Sequence, residues 1–90
     1  MIADEFAPIL NRFYKNHASN FHAYPLVRLL ILVRIIHHKG INASNRVSAA
    51  WLSEVCAVSI PAVYNHLRAL EKEGLLSRGR PTARALDLLS

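Results

Sequence analysis

Apolar positions follow three different rhythms along the chain, and each rhythm predicts a different kind of element. Ile2, Phe6, Ile9, Leu10, Phe13 and His17 recur at spacings of three and four, which places them on one face of a helix. Asp4 and Glu5 suit the positive N-terminal end of that helix. Pro8 lacks an N–H and clashes one turn back, so it belongs near the first turn, and the helix should not start much before Asp4. A polar break is expected at residues 17–20. Pro25 then opens a second helix running to about His38, ended by Gly40, with His37, His38 and Lys39 where cations meet free carbonyls. Its apolar residues, nearly continuous over residues 26–36, cannot all face one partner. This helix should therefore be the central core helix, covered on more than one side, with the N-terminal helix as one cover.

Residues 41–47 read as a loop, closing in a short strand at Val47. Ser48 is a natural N-cap for a short helix through Cys56, on which Trp51, Leu52, Val55 and Cys56 share an arc and Ala50, Ser53 and Glu54 lie outside. After Ala57 and Val58, Ser59 caps again, Pro61 sits in the first turn of the next helix, and Gly74 ends it. Beyond Gly74 the period changes. Residues 75–78 and 84–88 predict two strands, the second alternating, around a tip at residues 79–82.

Ninety residues with 52% hydrophobic content suffice for one core without disulfides or metal, so one domain is expected over residues 1–90, with an N-terminal helix and linker over 1–24 and the main core over 25–90. The lone Cys56 cannot form an internal disulfide, and no N-terminal stretch reads as a secretory signal, which points to a reducing cytoplasm. The segment 26–36 is interrupted by Arg28 and Arg34 and is far shorter than the roughly 20 residues of a membrane span. A net charge of +5 favours polyanionic partners, and its distribution says more than its total. No acid lies between Glu5 and Glu54, and residues 75–86 hold Arg78, Arg80 and Arg84 with no acid.

The helix opened by Ser59 divides into two faces. Val63, Leu67 and Leu70 fall on a narrow apolar side, whereas Pro61, Tyr64, Asn65, Arg68 and Lys72 fall on the opposite one, and His66 and Ala69 lie to the side. Two helices joined by a tight turn, each opened by a capping Ser, define a helix-turn-helix in geometric terms. The segment "VSAAWLSEVCAVSIPAVYNHLRALEKEGLLSR", residues 47–78, resembles the winged helix-turn-helix transcription regulators, a group that includes MarR-like and ArsR-like repressors and the LexA DNA-binding domain. Val63, His66, Leu67, Leu70, Glu71, Gly74, Leu75 and Leu76 match the ending that leads into the wing in such proteins. The likeness is at superfamily level, strong over about half the chain and weak over the wing. It implies a mainly α fold with a small β-hairpin wing, a winged helix-turn-helix carrying an extra N-terminal helix. The interhelix turn, which commonly carries Gly, holds Ala57, so it must avoid a positive dihedral or accept its cost.

The function implied is sequence-specific binding of double-stranded DNA by a homodimeric regulator, a repressor on an inverted repeat. Ser59, Pro61, Ala62, Tyr64, Asn65, Arg68 and Lys72 would read the major groove, and Arg46, Arg78, Arg80, Thr82 and Arg84 would hold the backbone. Phe6, Ile9, Leu10, Phe13 and Tyr14 form an apolar stripe longer than one core seam and suit dimerisation; the other reading is that this helix only caps its own subunit. Tyr64 could instead pack on the domain edge, and Arg68 could pair with Glu71 or Glu73. An alternative function is a protein-interaction or assembly module, for which Ile60, Pro61 and Tyr64 would serve. No catalytic constellation or cofactor motif stands out, so an enzyme is not expected. His37 and His38 point about 100° apart, poorly placed for one metal, and Cys56 reads as an inert buried thiol. Asn42, Ala43 and Ser44 spell a glycosylation acceptor that a cytoplasmic chain would not use.

Overall fold

In the computed structural model, the structure describes residues 7–21, 24–41 and 47–89. Among the described residues, five helices and one hairpin follow in order: α1 (Ala7–Phe21), α2 (Leu26–Ile41), α3 (Ala49–Cys56), α4 (Ile60–Lys72), β1 (Leu76–Ser77), β2 (Arg80–Pro81) and α5 (Ala83–Leu89). The fold is mainly helical with a small two-stranded antiparallel sheet. Among the described residues no helix is long and apolar enough to cross a membrane.

The core is built on α2, as its uninterrupted apolar run requires. Leu29, Leu30, Ile31, Leu32, Val33 and Ile35 are all buried, with α3, α4 and β2 packed along the helix. Leu52 and Cys56 of α3, Val63 and Leu70 of α4, Leu75, Leu76 and Ala85 belong to the same buried cluster. Leu67 departs from expectation: it is half-buried against this cluster rather than enclosed in it. The N-terminal helix joins this cluster through Leu10 and Phe13, and its most extensive packing is on α5. It continues to Phe21 through the expected break, because residues 17–20 include neither Gly nor Pro, and a run of mostly polar residues does not by itself interrupt a helix. Likewise α2 runs to Ile41, one residue past Gly40. Ile2, Asp4 and Glu5 lie outside the described residues, as do residues 42–46, and Val47 forms no strand.

Both capping Ser residues act as expected. The Ser48 hydroxyl oxygen accepts from the Trp51 amide and Ser59 from that of Ala62, satisfying one orphan donor in each first turn. The two helices end with the same pair of bonds. At α4, Gly74 N–H donates to Glu71 and Leu75 N–H to Leu70, with Gly74 at φ 79°. At α3, Ala57 N–H donates to Glu54 and Val58 N–H to Ser53, with Ala57 at φ 56°. The three-residue turn thus accepts a left-handed dihedral on a residue with a Cβ, and the Ser53 hydroxyl, donating to the Val58 carbonyl, helps to hold it there.

The segment after α4 corrects the predicted pair of strands. Leu76 pairs with Pro81 and Ser77 with Arg80, so the tip is the two-residue loop Arg78-Gly79, and Arg80 and Pro81, expected at the tip, form the second strand. Both loop residues have positive φ, 54° and 76°, as a type I′ turn requires. Residues 84–88 are helical instead. Thr82 supplies the N-cap, accepting from the Ala85 amide, and Ala, Arg and Leu are strong helix formers. A five-residue alternation is too short to separate strand from helix.

Candidate functional site

The Ser59 cap and Pro61 in the first turn fix where α4 begins and therefore which residues it turns outward. Val63 and Leu70 are buried, while Pro61, Tyr64, Asn65, Arg68 and Lys72 are exposed along one side, in the stripe that the sequence predicts. Tyr64 is 50% exposed, so its ring is not committed to the domain edge. Arg68 donates to the Asn65 side-chain oxygen one turn back, which lays the guanidinium along the stripe. Ser59 is exposed and Ala62 half-buried. Two further exposed side chains lie on α4 beside the stripe: Ile60, 44% exposed, and Glu71, which helical geometry places at its edge.

The hairpin tip lies just beyond α4 and packs on it through β1. Arg78 at the tip and Arg80 on β2 are both exposed, and neither they nor Arg68 forms an ion pair with a carboxylate among the described residues. Arg84 is exposed on α5 rather than on a strand. Thr82 is not an open backbone contact: its half-buried hydroxyl donates to the Gly74 carbonyl at 2.7 Å and accepts from Ala85, tying the end of α4 to the start of α5. Arg46 lies outside the described residues.

The expected dimerisation stripe is corrected at its centre. Leu10 and Phe13 are each 3% exposed within their own chain, Phe13 standing edge-on to Tyr14, so these two side chains cap their own subunit. Ile9 and Tyr14 are half-buried, and Phe6 lies outside the described residues.

A cluster that the sequence did not reveal holds α4 in place. Arg28 reaches from α2 to Glu73 at 3.0 Å and donates through Nε to His66 Nδ1 at 3.3 Å. Tyr24 donates to the other Glu73 oxygen at 2.7 Å, lies under the Arg28 guanidinium, and accepts at its carbonyl from the Tyr14 hydroxyl at 2.8 Å. Burial, and next the nearby Arg28 charge, hold the His66 imidazole below its ordinary pKa, which keeps Nδ1 available as an acceptor. Burial, then the Glu73 bond, push the Tyr24 phenol up. Glu73 is thereby engaged by α2 and is not the partner of Arg68. The signal in the sequence was Arg28 itself, a charge inside an apolar run, but nothing local pairs residues 45 positions apart.

Cys56 is buried, and burial raises its thiol pKa, which lowers its reactivity. Among the described residues no three His, Cys, Asp or Glu side chains gather as a metal would need. No protein-family model matches the chain, and comparison with curated proteins and with solved structures likewise finds no match.

Proposed function

We propose that the chain is a winged helix-turn-helix DNA-binding regulator, with α3 and α4 as its helix-turn-helix, α4 as the recognition helix and the β1–β2 hairpin as a minimal wing. The observation that carries the reading is the exposed stripe of Tyr64, Asn65, Arg68 and Lys72 together with the exposed Arg78 and Arg80 of the hairpin that follows α4, the arginines having no carboxylate partner among the described residues. Asn and Arg on a helix that enters the major groove make the bidentate base contacts that discriminate A and G. Arginines beside it neutralise phosphates. A single helix of 13 residues reads only a few base pairs, so we further propose that two copies act together on an inverted repeat, as a repressor. The dimer contact lies outside the buried Leu10 and Phe13. Exposure of Ile60 and Tyr64 in the first turns of α4 suits a protein partner equally well, which gives the competing reading, an assembly module, its support.

Selection of bound sequences from random duplexes, followed by titration at 50–200 mM salt, separates the two. The DNA reading expects a two-fold symmetric motif and a log–log salt slope steeper than about −3. Arg68→Ala should relax sequence preference by about 1–3 kcal/mol, whereas Arg80→Ala should weaken cognate and scrambled sites alike and lower the slope by about one. No binding at low salt would remove the DNA reading and leave the assembly module.

A further inference from the structure

Asn65 and Arg68 stand one turn apart on the exposed side of α4, and a hydrogen bond joins them: Arg68 Nη2 donates to Asn65 Oδ1. Arg68 has a second neighbour at the same spacing, Glu71, which charge alone would favour. The guanidinium bonds to the neutral amide instead and makes no ion pair with Glu71. Its positive charge is therefore kept for an incoming ligand. The bond also settles which way the amide faces. With Oδ1 turned to the guanidinium, the pair offers the two Nδ2 hydrogens of Asn65 and the remaining N–H groups of Arg68. All of these are donors.

We infer, given the DNA reading on which this rests, that Asn65 and Arg68 act as one donor-only unit that selects two adjacent guanines on one strand. In the major groove guanine shows two acceptors, N7 and O6, whereas adenine shows N7 beside an N6 amino group and cytosine an amino group. The usual contact of Asn with adenine needs Nδ2 to donate to N7 while Oδ1 accepts from N6. Here an amino group brought to Oδ1 would meet the guanidinium, donor against donor. Thymine is a poorer match than guanine, since its O4 is a single acceptor. Three helical residues rise about 4.5 Å, near the ~3.4 Å between stacked base pairs, so the two side chains fall on neighbouring bases.

Sequence selection from random duplexes, run on the native chain and on Arg68→Ala, tests the unit. The native chain should return two adjacent guanines in each half-site. Replacing either one with 7-deazaguanine, which lacks the N7 acceptor, should weaken binding about fivefold. Arg68→Ala frees Oδ1, so the base read by Asn65 should change from guanine to adenine, with a preference of about tenfold, while the neighbouring base loses its preference. Adenine beside guanine in the native motif, or an Asn65 position unmoved by Arg68→Ala, overturns the inference and leaves the DNA reading standing. A measurement without DNA isolates the pairing itself. In the free chain the Asn65 side-chain carbonyl 13C signal should move upfield in Arg68→Ala and stay in place in Glu71→Gln, and a signal unmoved by Arg68→Ala overturns the inference. Absence of duplex binding at low salt removes the DNA reading, and the inference falls with it.

Discussion

The two sides of α2 are packed by different physics. Towards α4 it presents Arg28, which engages Glu73 and His66 while Tyr24 completes the cluster, so four side chains with directional bonds fix how α4 lies. Five positions further on, about 140° around the helix, it presents Val33 to α1 and α5, and here contacts are apolar and leave a half-open groove. Apolar packing rewards area but not orientation, and a seven-residue helix such as α5 has too little area to close the gap. Hydrogen bonds do specify orientation. The rigid side belongs to the helix proposed to read DNA, where a displacement of an ångström would misplace every base contact.

The sharpest test of this contrast compares one Leu from each side. Leu70 is fully buried between α4 and the core, so Leu70→Ala should leave a closed void and cost about 2–5 kcal/mol, a large share of the stability of a small domain. Leu89, half-buried beside a space that already exists, should cost under about 2 kcal/mol on the same change. Denaturant unfolding of both variants measures the difference. Equal losses would mean that the α1–α5 side is as tightly packed as the other.

A smaller effect is expected from the polar cluster. Glu73→Gln keeps an acceptor for Tyr24 but leaves Arg28 without its charge partner. Because both side chains are partly exposed, the cost should be about 1 kcal/mol. The cluster should also make stability depend on pH. His66 has a folded-state pKa below its ordinary 6.5, so the unfolded chain takes up the proton more readily. Its contribution is complete above pH 6.5 and is lost as pH falls towards the folded value, where imidazolium would face Arg28 and lose its acceptor atom. At the alkaline end Tyr24, raised above its ordinary 10.0, contributes fully below pH 10 and is lost above it. Thermal unfolding across pH 5–8 should show the acid decline in the native chain and a flatter profile in His66→Gln. An identical slope in the two would remove His66 from the cluster's electrostatics.

How much of this was legible in the sequence divides along local and non-local lines. Ser48 and Ser59 as caps, Gly74 as terminator, the central place of α2 and the exposed stripe of α4 all follow from short-range rules that the chain obeys. The dependable errors arose where a local signal was short or ambiguous. Residues 84–88 alternate for only five positions, and Thr82, read as a possible phosphate contact, spends its hydroxyl on capping α5. Leu10 and Phe13 looked like surplus apolar surface because the pattern of one helix cannot reveal a partner such as α5. The Arg28 cluster was invisible for the same reason, since its partners meet only after folding.

The smallest effect concerns the two ends at which the rigid side is joined to the chain. Gly74 and Ala57 adopt nearly the same left-handed dihedral and close their helices with the same two hydrogen bonds, but only one is glycine. A left-handed L-residue carries a strain of roughly 1–2 kcal/mol, and the greater freedom of glycine in the unfolded chain recovers part of that difference. Ala57→Gly should therefore stabilise the protein by about 0.5–1 kcal/mol, readable as a rise in Tm of a few degrees for a domain of this size. Gly74→Ala should cost a similar amount through the dihedral alone, since a Cβ there meets nothing within 4 Å. If both changes move Tm in the same direction, the turn before α4 is not strained as its dihedral implies. The α3–α4 angle would then be set by packing on α2 and not by the Ala57 turn.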